Sequence, residues 1–201
     1  MSKEKPISVI ILAAGNSERM GFPKAFLKWN KQYTFLEKIC NDYTAFGCEE
    51  IILVVNKNLS DRLLIEHLTL PENFSAIINE RLELGRMYSL FLGIRKWNKQ
   101  GFCFVQNIDN PFVNTDTLKN IFENKNNDCT IVPVCDGKRG HPVLINKNIA
   151  DRISALHDFN LTLKTLINEC GITEVPVNDP EILHNINTPA DYKNLFPDIA
   201  N

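Results

Sequence analysis

The 201-residue chain is 44% hydrophobic and 23% charged, a globular composition with enough length to bury well over half of its unfolded surface in a single domain, residues 1–201. A net charge of −2 gives no reason to expect nucleic acid as a partner, and no stretch is long enough to span a membrane. The six cysteines lack CxxC spacing and mostly sit in apolar patterns, so they read as small core residues of a cytoplasmic protein rather than as disulfides or a metal cluster.

The chain opens with Lys3 and Lys5 ahead of an apolar run, a superficial likeness to a signal peptide. That run is short, β-branched at its centre and followed by charged residues, so Ile7 to Leu12 reads as a buried strand. A polar loop to Lys24 follows, then a short apolar piece from Phe26 to Trp29. Thr34 and Glu37 form a capping-box pattern for a helix that ends at Gly47. Ile51 to Val55 is a second strand, Ser60 is expected to cap a helix through His67, and Ser75 to Asn79 is a third strand. Met87, Leu90, Ile94 and Trp97 mark a helix entered through Glu83 to Arg86, and Phe102 to Ile108 is a strand ending at Asp109.

Thr115 to Glu123 reads as a helix and Thr130 to Val134 as a strand. Asp136 to Gly140 makes a tip that leads into a hairpin-like strand, Val143 to Ile145. Helices are expected near Asn148 to Leu156 and Leu161 to Cys170, and strands near Glu174 to Val177 and Ile182 to Ile186. Thr188 and Pro189 start a last helix. The βαβαβ opening implies a doubly wound α/β sheet, in which ligands lie beyond the carboxyl ends of the strands. The Gly15 to Lys24 loop and Asp109 both fall at such ends.

That loop has the makings of an anion site. Gly15 and Gly21 lack Cβ atoms, so nearby amides can approach a phosphate, while Arg19 and Lys24 supply positive charge. The dinucleotide pattern GxGxxG is absent, since Ser17 stands at its third position. GxxxxGK[ST] is absent too, since Phe22 follows Gly21. A solvated surface loop remains the plain alternative.

The stretch LAAGNSERMGFPKAFL, Leu12 to Leu27, resembles the signature LAAGxSxRMGxPK of MobA-like nucleotidyltransferases, and most of all their molybdenum cofactor cytidylyltransferase branch. The resemblance implies an α/β, Rossmann-like fold of the glycosyltransferase-A type: a mixed, mostly parallel sheet with helices on both faces, in three layers. It implies transfer of a nucleotidyl group from an NTP, CTP favoured over GTP, to a phosphorylated acceptor such as molybdopterin, with Mg²⁺ as cofactor and pyrophosphate released. Carried over by position, Leu12, Ala13, Ala14 and Gly15 would line the base and ribose, and Arg19 and Lys24 would grip the triphosphate as catalytic cations.

Three further stretches carry the resemblance. Gly85 to Leu90, with Gly93, is similar to GMSSSLRAG and implies nucleotide contacts at Gly85 and Ser89. Asn107 to Phe112 is similar to GDxPFV, which makes Asp109 the Mg²⁺ ligand and a catalytic residue. Gly137 to Leu144 is similar to RGHPVLF, placing His141 on the acceptor side. Three departures stand against these. Asn187 occupies the place of a second metal-binding aspartate and offers only a neutral carbonyl oxygen. Asp158 survives from a GDxGAR-like segment, an acceptor-side candidate without its glycines and arginine. Arg86 and Tyr88 stand where smaller residues are usual. An acceptor other than molybdopterin, such as a sugar phosphate or polyol phosphate, is therefore one alternative. A nucleotide-binding protein that has lost catalysis is another, and a nicotinamide or flavin oxidoreductase is disfavoured without GxGxxG.

Overall fold

The computed structural model describes residues 6–199, so Lys3 and Lys5 lie outside the described residues. The first half alternates strand and helix: β1 (Ile7–Leu12), α1 (Phe35–Phe46), β2 (Glu50–Val55), α2 (Lys57–Ile65), β3 (Phe74–Ile78), α3 (Gly85–Lys96) and β4 (Phe102–Asn107). The second half contains α4 (Thr115–Glu123), β5 (Thr130–Cys135), β6 (Lys138–Arg139), β7 (Val143–Asn146), α5 (Lys147–Ser154), α6 (Leu163–Cys170), β8 (Ile172–Pro176) and α7 (Pro189–Leu195). One sheet runs β3-β2-β1-β4-β7-β5-β6, with β8 paired to β5. The first four strands are mutually parallel, β7 runs antiparallel to β4 and β5, and β8 is parallel to β5.

Alternation along the strands divides the core into two faces. Val9, Ile11, Ile51, Leu53 and Phe104 pack against Leu36, Ile39 and Tyr43 of α1 and Leu118 and Ile121 of α4. Ile10, Leu12, Ile52, Val54 and Val105 pack against Leu90 and Ile94 of α3, Ile149 and Ile153 of α5, and Leu166 of α6. Each buried aliphatic side chain contributes roughly 1.5–3 kcal/mol, so both helical layers are held chiefly by this burial. The result is the expected mostly parallel α/β sheet covered on both sides. Gly93 sets the spacing of α3: a Cβ there would stand 2.6 Å from Ile10 Cγ2 and 3.2 Å from Val54 Cγ2, so only glycine lets the helix lie this close to the sheet. Among the described residues, no helix is long and apolar enough to cross a membrane.

Local signals were read correctly where the partner groups are close in sequence. The Thr34–Glu37 capping box forms, Gly47 closes α1 at φ 97°, and Thr188 caps α7 with Pro189 in its first turn. Two expectations are corrected. The second helix begins at Lys57 rather than after Ser60, because Asn56 accepts from Leu59 N at 2.7 Å and so caps it first. Ile182 to Ile186 is not a strand: Pro180–Leu183 forms a 3₁₀ turn. The carbonyls of Ile182 and His184 accept from the buried Asn110 side chain at 3.1 and 2.8 Å, and Ile182 O also accepts from His141 N at 3.2 Å.

Candidate active site

Because β1 to β4 are parallel, their carboxyl ends share one edge, where the small residues Ala13 to Gly15 and the polar Asn56, Asn79, Asn107 and Asp109 stand. The loop after β1 is fixed at three points. Asn56 Nδ2 donates to Ala14 O at 3.2 Å and Gly15 O at 3.4 Å, while its Oδ1 caps α2. Ser17 O accepts from the amides of Met20 and Gly21, both at 2.9 Å, in a reversal for which Gly21 takes φ 69°. Met20 is buried among Phe35, Phe112, Ile186 and Phe196. A Cβ built on Gly15 meets no atom within 4 Å, so the protein's own packing does not require glycine there. Open space beside that backbone is what close approach of a ligand requires.

The charged end of the loop meets the far end of the chain. Lys24 Nζ donates to Asn187 Oδ1 at 2.9 Å and lies 3.4 Å from Asp109 Oδ2, while Arg19 Nη2 reaches the same Asn187 oxygen at 3.4 Å. Asn187 is held from behind, its amide donating to Asp191 Oδ2 at 2.9 Å, and Ile186 N donates to Asp109 O at 2.8 Å. Aromatic packing secures the arrangement: Trp29 is 5.3 Å from Phe196 and 5.6 Å from Phe112, edge-on in each case.

A cleft of about 570 Å³ is lined by Leu12, Ala13, Ala14, Gly15, Arg19, Lys24, Gly85, Ser89, Asp109 and Asn187 together. Asn79, Arg86 and Asn107 line it too, although motif matching had not singled them out as site residues. Asn79 is buried and donates to Ser89 Oγ at 2.9 Å, fixing that hydroxyl. An asparagine directly after each of the apolar runs of β2 and β3, and another ending β4, is the sequence signal for Asn79 and Asn107.

A second, larger cleft of about 900 Å³ adjoins the first and shares Leu12, Gly85 and Arg86 with it. Its lining mixes apolar Met87, Leu90, Val132, Val143 and Ile167 with the cations Lys138, Arg139 and Lys164 and the carboxylates Glu83 and Glu174. His141 lines this cleft, and its Nδ1 is buried without a protein partner. Desolvation and the positive Arg86 push the imidazole down to about 4 against the opposing pull of Asp109, so it is neutral at pH 7. Asp158 lines neither cleft. It is exposed and accepts from Asn160 N at 3.0 Å and Asn160 Nδ2 at 2.7 Å, while the neighbouring Phe159 lines the second cleft.

The donor set suits one hard cation. Asp109 Oδ2 and Asn187 Oδ1 both lie close to a single point, the Lys24 ammonium. Among the described residues no three His, Cys, Asp or Glu side chains gather as a metal site. Mg²⁺ fits such a sparse set, because it keeps waters and takes ligands from substrate phosphates.

Comparison with known proteins gives a consistent result. Residues 9–172 match the MobA-like NTP transferase domain. Over 187 residues the chain is 29% identical to the molybdenum cofactor cytidylyltransferase of Escherichia coli (strain K12), spanning 92% of this chain and 93% of that protein. A probable molybdenum cofactor guanylyltransferase of Bacillus cytotoxicus is 24% identical over 208 residues, spanning 96% of this chain and 97% of its own. In three dimensions the fold is shared with Rv0371c from Mycobacterium tuberculosis H37Rv: TM-score 0.82, 21% identity, 97% of this chain and 99% of the other.

Proposed function

The chain belongs to the MobA-like NTP transferase family and is a nucleotidyltransferase, and from that premise we propose that it joins an NTP, CTP in preference to GTP, to a phosphorylated small molecule with Mg²⁺ and releases pyrophosphate. One observation supports the reading: a cleft holding Arg19, Lys24, Asp109 and Asn187 shares a wall of Leu12, Gly85 and Arg86 with a second cleft large enough for another substrate. The first would take the nucleotide, with Ala13 to Gly15 and Ser89 beside the nucleoside and Lys24 and Arg19 on the triphosphate. The second would take the acceptor.

In this reaction an acceptor phosphate oxygen attacks the α-phosphorus, the bond to the bridging oxygen breaks, and its electron pair leaves with pyrophosphate. Such a nucleophile is already deprotonated, so no strong general base is needed. The residues contribute by position and charge: Lys24 and Arg19 neutralise the triphosphate oxygens, and the Asn56 bonds hold the loop still. Asp109, helped by Asn187, would hold Mg²⁺, which supplies further charge neutralisation when bound.

Met87, Leu90, Val132 and Val143 give the second cleft apolar surface for the body of an acceptor such as molybdopterin. Glu83, Asn160, Thr162 and Glu174 in the same lining offer partners to the hydroxyls of a sugar phosphate or polyol phosphate, so turnover decides between them. Preference for CTP rests on the cytidylyltransferase likeness and on the LAAG form of the first loop. The test is a pyrophosphate-release screen of four NTPs against molybdopterin and several sugar and polyol phosphates. Turnover with CTP and molybdopterin alone bears the proposal out. Turnover on a polyol phosphate replaces the acceptor, and nucleotide binding with no turnover on any acceptor leaves a binding protein.

A further inference from the structure

The nucleotide assignments leave unused two side chains, His141 of the second cleft and Arg86 of the wall between the two clefts. Helix α3 begins there, and no side chain caps its N-terminus, whereas Thr34, Asn56, Asn114, Asn146, Thr162 and Thr188 cap the other α-helices. Its first turn holds no acidic residue but does hold Arg86, a cation at the end where the helix dipole is already positive. That placement opposes local stability and suits a bound anion. Arg86 donates to Asn107 Oδ1, which occupies one of five guanidinium donors and leaves the others free to turn toward a ligand.

The second observation comes from the opposite element. His141 lines the second cleft together with Gly85 and Arg86, and its buried Nδ1 has no protein partner. A buried nitrogen left unpaired is destabilising, and a ligand oxygen hydrogen-bonded to it would offset that. Of the other cations lining this cleft, Arg139 is engaged by Glu174 at 2.6 Å and Asn168 at 3.0 Å. Among the described residues, Arg86 alone of the cations lines both clefts, at the place where two substrates would have to meet.

We propose that Arg86, the first turn of α3 and His141 Nδ1 form the subsite for the attacking phosphate of the acceptor. The proposal rests on the two-substrate reading above and adds to it the residue that receives the nucleophile. Arg86 touches the non-attacking phosphate oxygens, offsets their repulsion by the α-phosphate, and leaves the remaining oxygen free to form the new bond to the α-phosphorus. The broken bond and the departing pyrophosphate are those of the reaction already written, and no proton moves. The selected chemistry is a phosphate monoester dianion, whatever body it carries.

The test uses the full chain and inorganic phosphate as the probe. Wild type, Arg86→Met and Arg86→Lys are first titrated calorimetrically with α,β-methylene CTP and Mg²⁺, then saturated with that analogue and titrated with phosphate. Arg86→Met is expected to bind the analogue within about threefold of wild type, which also reports an intact fold, and to bind phosphate about tenfold or more weakly. Arg86→Lys should recover part of that loss. Unchanged phosphate binding in Arg86→Met overturns the proposal, as does a wild type that binds the analogue but no phosphate. An equal fall in analogue affinity also overturns it, by assigning Arg86 to the nucleotide. A wild type that binds no nucleotide analogue overturns the underlying two-substrate reading and the proposal with it, a failure the first titration alone reveals.

Discussion

Lys24 and Asp109, 85 residues apart in the chain, meet through an Nζ–Oδ2 contact of 3.4 Å between side chains that are 11% and 27% exposed. The same ammonium donates to Asn187 Oδ1 at 2.9 Å, so it stands among the oxygens that a cation would use. On the proposed reading a divalent ion would compete with Lys24 for this place and turn it toward a triphosphate. Lys24→Met should weaken CTP binding by about 1.5–3 kcal/mol, the scale of a hydrogen bond to a charged group, and leave cytidine binding unchanged. Titration with both ligands checks this, and an unaltered CTP affinity would remove Lys24 from the site.

Asp109 presents its side chain to this pair while its carbonyl accepts from Ile186 N at 2.8 Å. Substitution of the side chain leaves that backbone bond in place. Asp109→Asn should therefore keep the circular dichroism spectrum and the unfolding midpoint, yet lower pyrophosphate release by about a hundredfold or more, the scale of lost charge stabilisation in a closed site. The assay is run across a range of Mg²⁺ concentrations. Wild-type turnover at ordinary Mg²⁺ would refute the metal assignment.

How much of this was legible beforehand followed the distance over which each signal acts. The Thr34–Glu37 box, the Gly47 terminus and the four parallel strands are set by neighbours in sequence and could be read from it. Arg19 and Lys24 read from the sequence as anion-binding cations and Asp109 as a strand-end residue, with family resemblance adding their roles and Asn187. The meeting of Lys24 with Asp109 and Asn187, and of Arg19 with Asn187, depends instead on long-range packing such as that of Trp29, Phe112 and Phe196, which no local pattern encodes. The error at Ile182 to Ile186 has the same origin. Asn110, which by itself reads as a turn residue, supplies from 72 positions away the hydrogen bond to Ile182 O that a strand ladder was expected to supply. Arg86 was noticed only as a departure, and its place on the wall of two clefts needed the folded chain.

Asn56 joins fold and site in one side chain. Its Oδ1 caps α2 through Leu59 N, and its Nδ2 holds Ala14 O and Gly15 O beside the first cleft. Asn56→Ala removes a cap worth about 1 kcal/mol and strips a buried donor from two carbonyls, for a total of about 2–4 kcal/mol. Asn56→Asp keeps the capping oxygen but replaces the donor by a carboxylate oxygen facing Ala14 O and Gly15 O. Urea unfolding should rank wild type above both variants, and both should bind CTP more weakly. An Asn56→Asp variant as stable as wild type would show that the contact with the first loop contributes nothing.

Glu37 gives the fold a dependence on acid. Burial raises its carboxyl, but bonds from Thr34 N and Thr34 Oγ1, both at 2.8 Å, and from Thr69 N at 3.0 Å outweigh that and hold it below its ordinary value. The unfolded chain therefore takes up this proton at higher pH than the folded one. The stability that the charged form contributes is present above the ordinary glutamate range and is lost as pH falls through the folded value. Glu37→Gln keeps the shape without the titration and should cost about 1–2 kcal/mol at pH 7, since bonds to a carboxylate are the stronger ones. Chemical unfolding at a series of pH values should show the gap between wild type and variant constant down to about pH 5 and narrowing below it. A gap that stays the same at about pH 3.5 would mean that the carboxylate form of Glu37 is not what the capping box and Thr69 stabilise.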